Sequence, residues 1–114
     1  VYNRILMVGI LMYLNDRELA DTLEQVETIS QERTVICIRE PLGISKRLTL
    51  KDFFSEELED NYNAIYRTRQ ELRKFIDRAF LQKGFIVSQE GFLFEEDALN
   101  NRKETAQYFY MLER

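Results

Sequence analysis

The sequence predicts an α/β fold in which two parallel strands are joined by a helix. Two apolar runs, residues 5–12 and 34–38, have the composition of buried strands. An amphipathic segment with helical spacing lies between them. Strand, helix and strand in this order form a parallel crossover, and such strands are apolar on both faces because helices cover both. At 114 residues the chain has the length of one domain, which we expect to span residues 1–114.

The first helix is predicted from its start signal and its apolar stripe. Asn15 or Asp16 can cap the helix, and Glu18 follows Asn15 at the spacing of a capping box. This spacing predicts a helix with one buried face. The apolar positions of that face are Leu19, Leu23, Val26 and Ile29.

A second helix and two further strands are predicted in the remainder of the chain. Thr68 and Glu71 form another capping box, and Gly84 is expected to end the helix. Residues 85–87 then predict a strand, the region up to position 101 a loop, and residues 107–112 a final aromatic strand. The core-facing positions of the helix are Leu72, Phe75, Ile76, Ala79 and Phe80.

The connection from residue 42 to residue 66 has no regular period. A connection of this length between core elements is usually functional or disordered, and its aromatic residues argue against disorder. Its acidic cluster, residues 56–60, lacks the spacing of a calcium-binding loop. We interpret the cluster as a solvated acidic helix face.

Composition excludes several classes of function. The chain has no histidine, which excludes Ser-His-Asp hydrolysis, and its four scattered glycines cannot form a dinucleotide fingerprint. The net charge of −4 and the mixing of basic with acidic residues disfavour nucleic-acid binding. No apolar run reaches membrane-spanning length, and no metal site is predicted. A single cysteine, Cys37, which we expect to be buried, fits a cytoplasmic setting. Because the sequence starts within a predicted strand and without methionine, we expect it to be a fragment or a processed chain.

Candidate functional residues follow from the rule that ligands bind at the carboxyl ends of parallel strands. Tyr13 follows the first apolar run, and Arg39 and Glu40 end the second. Arg39 and Glu40 can equally form an ordinary ion pair at a strand end. Tyr62 and Tyr66, four residues apart, share one face if helical, where they can bind a ligand or simply pack.

Five short segments occur in an order that resembles one enzyme family. They are residues 9–16 (GILMYLND), 38–40 (IRE), 66–68 (YRT), 84–85 (GF) and 108–110 (YFY). Together they resemble the C-terminal half of class I S-adenosylmethionine-dependent methyltransferases, and the resemblance covers essentially the whole chain. It implies the C-terminal half of a Rossmann-like sheet, with parallel strands followed by a terminal antiparallel pair.

The resemblance also implies roles for individual residues. Gly9, Ile10 and Leu11 are expected beside the methionine part of the cofactor. Tyr13, Arg39, Tyr62 and Arg67 are expected to bind the methyl acceptor. Segments 38–40 and 66–68 resemble the branch that methylates amines, including protein N-termini. For an amine acceptor, Glu40 or Tyr66 is the expected general base.

The glycine-rich first loop and the acidic ribose ligand of that family have no counterpart in this sequence. The expected cofactor, S-adenosylmethionine, therefore binds only together with an N-terminal half of the same fold, and the chain alone is expected to be inactive. Without that half, the first strand has an open edge, and we expect self-association as a homodimer. The alternative is a non-catalytic α/β interaction module whose segment 53–66 binds a protein. A winged-helix DNA-binding domain is disfavoured by the acidity of the chain.

Overall fold

The computed structural model describes residues 3–55, 60–93 and 104–114. The elements in chain order are β1 (Asn3–Val8), a first 3₁₀ turn (Leu11–Tyr13), α1 (Asp16–Ile29), β2 (Thr34–Gly43), β3 (Leu48–Ser55), β4 (Asp60–Tyr66), α2 (Arg69–Ala79), a second 3₁₀ turn (Leu81–Lys83), β5 (Ile86–Phe92) and β6 (Thr105–Glu113).

The main sheet contains both parallel and antiparallel strands. Its strand order is β1-β2-β6-β5, and β3 pairs with β4 in a separate two-stranded sheet. β1 is parallel to β2, as the crossover predicts. β6 is antiparallel to both β2 and β5. The predicted mixed α/β sheet is therefore confirmed, with β1 at one edge.

Both predicted capping boxes are present. The Asn15 side chain accepts from the backbone N–H of Glu18 at 2.8 Å, and Glu18 accepts from the N–H of Asn15 at 3.0 Å. Thr68 and Glu71 exchange the same pair of hydrogen bonds at 3.2 and 3.0 Å. Each box satisfies two backbone donors that the first turn of a helix leaves without intrahelical partners.

One hydrophobic core lies between the main sheet and the two helices. The buried face of β2 contributes Ile36 and Ile38, and β6 contributes Tyr110 and Leu112. The buried helix residues are Leu19, Leu23, Leu72 and Ile76, followed by Phe80 after the end of α2. The predicted stripes are thus confirmed except at Ile29, which ends α1 and is 70% exposed.

The other face of the main sheet is not covered by any described helix, so the prediction that both faces of the strands are buried is wrong for this part of the chain. Leu6, which alternates with the core residues of β1, is 69% exposed. Cys37, expected to be buried, is only partly buried. We call this surface the open sheet face; its residues are Arg4, Leu6, Val8, Val35, Cys37, Arg39, Phe109, Met111 and Glu113.

The connection predicted as irregular is largely a β-hairpin. β2 extends to Gly43, and β3 and β4 pair antiparallel with a register shift between Leu50 and Phe53. Such an irregularity breaks the two-residue alternation by which a strand is recognised. Tyr62 and Tyr66 consequently lie on a strand and not on a helix. Of the acidic cluster, residues 56–59 lie outside the described residues and Asp60 begins β4.

Two other boundaries differ from the predicted ones. β5 continues to Phe92 through a register shift after Val87, where the sequence predicts a loop. α2 ends at Ala79, and Gly84, with φ of 95°, ends the second 3₁₀ turn instead. Within the described ranges no helix has the length and apolar character needed to cross a membrane.

Candidate functional site

The chain leaves the carboxyl end of β1 in a tight turn. Gly9 has φ of 64°, in the left-handed region that favours glycine, and its N–H donates to the Arg39 carbonyl at 2.9 Å. The first 3₁₀ turn follows, closed by a 3.1 Å bond from the Leu14 N–H to the Leu11 carbonyl. We call residues 9–14 the strand-end turn. It lies at the edge of the sheet where the sequence predicts the ligand.

The buried carboxylate of Glu40 holds the first half of the strand-end turn. Its two oxygens accept from the backbone N–H groups of Ile10 at 3.0 Å and Met12 at 3.1 Å. The residue is only 2% exposed. Burial raises the pKa of Glu40, although the backbone N–H groups of the turn work in the opposite direction. The Glu40 carboxylate therefore accepts hydrogen bonds from backbone N–H groups that have no partner within this short turn.

The guanidinium group of Arg67 holds the second half of the turn. It donates to the Leu14 carbonyl at 2.7 Å and to the Leu11 carbonyl at 3.3 Å. Its Nε also donates to the carboxylate of Asp16 at 3.0 Å. Arg67 is buried, and its guanidinium lies 5.6 Å from the ring centroid of Phe75. One side chain thus links the end of β4 to both the turn and the start of α1.

A charged network continues from Asp16 across the first turns of both helices. Arg47 bonds Asp16 at 3.2 Å and Glu71 at 3.1 Å. Burial works to raise the pKa of Asp16, but hydrogen bonds from Arg47 and Arg67 outweigh it, so the pKa lies below its usual value. For Glu71, burial is likewise outweighed by bonds from Thr68 and Arg47, which leave its pKa lowered. Both carboxylates therefore stay ionised at neutral pH.

The structure brings most of the predicted site residues to the strand-end turn, but with different exposure. Ile10 and Tyr13 are 49% and 47% exposed. Leu11 and Tyr66 are buried. Tyr62 lies in β4, and its side chain is outside the part of the chain that the structure describes.

Arg39 and Glu40 point to opposite faces of the sheet, since neighbouring residues of a strand alternate. Glu40 faces the core, whereas Arg39 belongs to the open sheet face. The alternative of an ordinary ion pair between them is therefore wrong. Arg39 lies beside Val8 and Phe109, and its Nε is buried without a hydrogen-bond partner among the described residues.

Sequence reasoning missed two members of this region. The sequence predicts Asp16 only as a helix cap, yet its carboxylate joins Arg47 to Arg67. Arg47 follows β2 in a segment without periodicity, so no sequence signal identified it. In the described ranges no group of three or more potential ligands is placed to hold a metal ion.

Comparison with known proteins places this geometry in a known fold. No family model and no curated protein matches the chain. A solved S-adenosylmethionine-dependent methyltransferase from Leishmania major, of the DUF858 family, matches with a TM-score of 0.66 at 15% identity. The match covers 96% of this chain and 37% of that protein.

A second solved structure gives the same result. The 1,6-didemethyltoxoflavin-N1-methyltransferase of Burkholderia thailandensis, with bound 1,6-didemethyltoxoflavin and S-adenosylhomocysteine, matches with a TM-score of 0.71 at 10% identity. The match covers 98% of this chain and 43% of that protein. This chain has a methyltransferase-like fold. The resemblance stated from the sequence is confirmed at the level of the fold, and the methyltransferase-like chain spans less than half the length of either neighbour.

Proposed function

We propose that this chain is the C-terminal part of an S-adenosylmethionine-dependent methyltransferase and contributes the methyl-acceptor side of its active site. The observation that carries the proposal is the extent of the structural match. Nearly all of this chain matches two methyltransferases, whereas the match covers only 37% and 43% of them. A further segment, the N-terminal half of the same fold, supplies the glycine-rich loop and the ribose ligand.

The exposed surface of the chain supports this proposal. β1 is an edge strand in the described sheet, and its Leu6 and Val8 are exposed on the open sheet face. A contiguous exposed apolar surface is typical of a site that contacts another protein segment. The N-terminal half is the partner that covers this face and pairs with the free edge of β1.

In this proposal the outer side of the strand-end turn receives the cofactor. Within the described chain, a Cβ at Gly9 would have no heavy atom within 4 Å, so the backbone is open to close approach. Ile10 is exposed beside it, while the side chain of Leu11 is buried and offers only its backbone. These residues contact the methionine part of the cofactor. When bound, S-adenosylmethionine supplies the electrophilic methyl group.

The acceptor lies next to Tyr13, whose side chain is exposed at the end of the turn. Methyl transfer depends mainly on the positioning of the reactants and on the exclusion of water. A rigid turn that positions them therefore contributes to catalysis. Glu40 and Arg67 provide that rigidity from the buried side. We therefore assign Arg67 to positioning, while Tyr62 and Arg39 remain proposed acceptor contacts.

Glu40 is also the proposed base for an amine acceptor. A carboxylate has about four acceptor positions, so bonds from Ile10 and Met12 leave capacity for a proton. The pKa of Glu40, raised by burial, is shifted towards the range in which a base works near neutral pH. Tyr66, buried at the end of β4, is the second proposed base.

Calorimetric titration with S-adenosylmethionine tests the proposal. The 114-residue chain alone is expected to give no measurable heat of binding, whereas a longer protein that includes an upstream glycine-rich segment is expected to bind. The same longer protein with Gly9→Val serves as the matched variant, since valine strongly disfavours the left-handed backbone of residue 9. Micromolar binding by the chain alone would contradict the split of the site between two halves.

A second candidate function is a non-catalytic interaction module, which the apolar open sheet face favours. The two candidates differ in one result. If the longer protein binds a protein partner through the open sheet face and fails to bind S-adenosylmethionine, the interaction module is the correct function.

A further inference from the structure

The two helices lie side by side and run in the same direction. Arg47 links their first turns through Asp16 and Glu71. At the opposite end, Arg114 donates to the carboxylate of Glu27 at 2.9 Å and to the carbonyl of Lys83 at 3.2 Å. The outer surface between the helices is therefore a groove that arginine contacts close at both ends.

The groove has the dimensions of a binding site for a small molecule. Its volume is about 490 Å³, within the range of roughly 300 to 1,000 Å³ found for ligand pockets. Its floor is formed by Ala20, Phe75 and Ala79, all of them partly exposed. The two alanines leave the space open, and the partly exposed side chain of Phe75 adds apolar surface. We call this site the interhelix groove.

The charges around the interhelix groove are unequal once the ion pairs are taken into account. Lys74, Arg78 and Lys83 stand along the α2 side, and Glu24 stands on the α1 side. In the described part of the chain none of these four has an ion-pair partner. The remaining charged residues of the lining belong to the arginine contacts at the two ends. Three positive charges therefore face one negative charge across an apolar floor.

We propose that the interhelix groove binds an anionic amphiphile, a small molecule with an apolar body and a carboxylate or phosphate head group. The apolar body lies on Ala20, Phe75 and Ala79. The head group lies between Lys74 and Arg78, which are four residues apart and share one helix face. Cations of the same shape are repelled by the excess positive charge.

This site is independent of the proposed methyltransferase function. The groove lies on the outer side of the helices, whereas the strand-end turn lies at the sheet edge and the open sheet face on the opposite side. A segment that covers the open sheet face leaves the groove accessible. Failure of cofactor binding and failure of groove binding are therefore separate results.

Three probes with one apolar body test the proposal on the 114-residue chain. Decanoate, decanol and decyltrimethylammonium are titrated below their micelle concentrations, and amide shifts are followed by two-dimensional NMR. Decanoate is expected to shift amides of α1 and α2 in a saturable way. Decanol is expected to bind the same amides more weakly, and decyltrimethylammonium not at all.

Two variants and a control sharpen the test. Lys74→Glu with Arg78→Glu is expected to weaken decanoate binding roughly tenfold, because two attractions become repulsions. Ala20→Phe is expected to abolish binding by filling the floor. The control, Lys46→Glu with Lys51→Glu, changes the net charge equally at exposed positions outside the groove and is expected to bind like the parent chain.

Three results would overturn the proposal. Decanoate shifts confined to the open sheet face would show that only its apolar surface binds the probe. Equal shifts from decanoate and decyltrimethylammonium would show that charge plays no part. Unchanged binding by the folded Lys74→Glu, Arg78→Glu variant would remove the head-group site.

Discussion

Arg67 and Arg39 lie on opposite sides of the same fold and differ in how their charge is accommodated. Arg67, on the side that carries the helices, donates to two carbonyls and to Asp16. Arg39, on the open sheet face, keeps a buried Nε without a partner among the described residues. A buried polar group without a hydrogen bond is costly, so it is normally satisfied in a complete structure.

The difference shows on which side of the main sheet the buried polar groups find hydrogen-bond partners within the described residues. On the helix side phenolic groups are bonded: the Tyr108 hydroxyl donates to Glu90 at 2.8 Å and the Tyr110 hydroxyl to the Arg69 carbonyl at 3.2 Å. Arg114 also has a buried Nε without a partner among the described residues, but its two other nitrogens donate to the Glu27 carboxylate and to three backbone carbonyls. The centre of the open sheet face combines the apolar residues Val8, Cys37 and Phe109 with Arg39, whose buried Nε has no partner among the described residues. Such a face suits a partner that contributes apolar side chains and one hydrogen-bond acceptor for the Nε of Arg39.

The largest expected effect comes from replacing the two arginines separately. Arg67→Met is expected to lower the free energy of unfolding by about 3 kcal/mol, since it leaves the carbonyls of Leu11 and Leu14 without their donor and removes one of the two arginines that bond Asp16. Arg39→Met is expected to leave it nearly unchanged or slightly higher. Urea denaturation of both variants measures the difference. Similar losses for the two variants would mean that Arg39 has a structural role equal to that of Arg67.

A second pair of variants compares the two faces of β1. Ile5 packs against the core, whereas Leu6 is exposed on the open sheet face. Ile5→Lys is expected to cost about 2 kcal/mol of stability, because it places a charge against the core. Leu6→Lys is expected to leave stability almost unchanged and to reduce self-association.

Light scattering measures the second effect. The parent chain is expected to have a mass above that of one chain, because apolar edges pair with other chains. Leu6→Lys is expected to shift that mass towards the monomer. A parent chain that stays monomeric at high concentration would contradict both the expected homodimer and the need for a covering segment.

Glu40→Gln tests the carboxylate that holds the strand-end turn. An amide oxygen can accept from one of the two backbone N–H groups, but the NH₂ group meets the other as a second donor. We expect a loss of about 1 kcal/mol in urea denaturation at neutral pH. In the complete enzyme, turnover is expected to fall far more than cofactor affinity, and equal turnover would exclude Glu40 as the base.

The pH dependence of Glu40 provides a further measurement. Because its pKa is raised in the folded state, the native chain binds this proton more tightly than the unfolded chain. The resulting stabilisation is fully present below the ordinary value of 4.5 and is lost as the pH rises through the folded pKa. Unfolding curves across this range are expected to show that contribution in the parent chain and to lack it in Glu40→Gln.

The smallest expected effect concerns Asp16, whose side chain is half exposed. Its lowered pKa gives stability that is present above the ordinary value of 3.8 and is lost as the pH falls through the lowered value. Asp16→Asn is expected to flatten this acid loss, and Asp21→Asn, on an exposed position of the same helix, serves as the control. An identical acid transition in both variants would show that the contacts of Asp16 with Arg47 and Arg67 contribute little.

The parts of the fold that the sequence predicts depend on local patterns. Asn15 with Glu18 and Thr68 with Glu71 are short-range signals, and both boxes form. The β3–β4 hairpin could not be predicted in this way, because its register shift after Leu50 interrupts the alternation of side chains. The sequence also gives no sign of which face of β1 remains open, since Ile5 and Leu6 are equally apolar.

The sequence predicts where the site residues lie in the sheet better than it predicts which groups they contact. The rule for strand ends identified Tyr13, Arg39 and Glu40 as neighbours of one sheet edge. The expectation that all three side chains point into one ligand crevice is wrong, because alternation along β2 places Arg39 and Glu40 on opposite faces of the sheet. The bonds of Glu40 to Ile10 and Met12 join residues 30 and 28 positions apart, and no spacing rule describes such contacts.

The place of β6 in the sheet has a consequence for how the chain folds. β6 is the last strand in chain order among those described, yet it lies between β2 and β5, so that Val35 pairs with Glu113. Contacts between residues so distant in sequence close slowly, because a large loop must be ordered before they form. During synthesis the edge of β2 that pairs with β6 therefore stays unpaired until residues 105–113 have left the ribosome. We therefore expect the insertion of β6 to limit the rate of folding and to determine how long the nascent chain is open to misassembly or to chaperones.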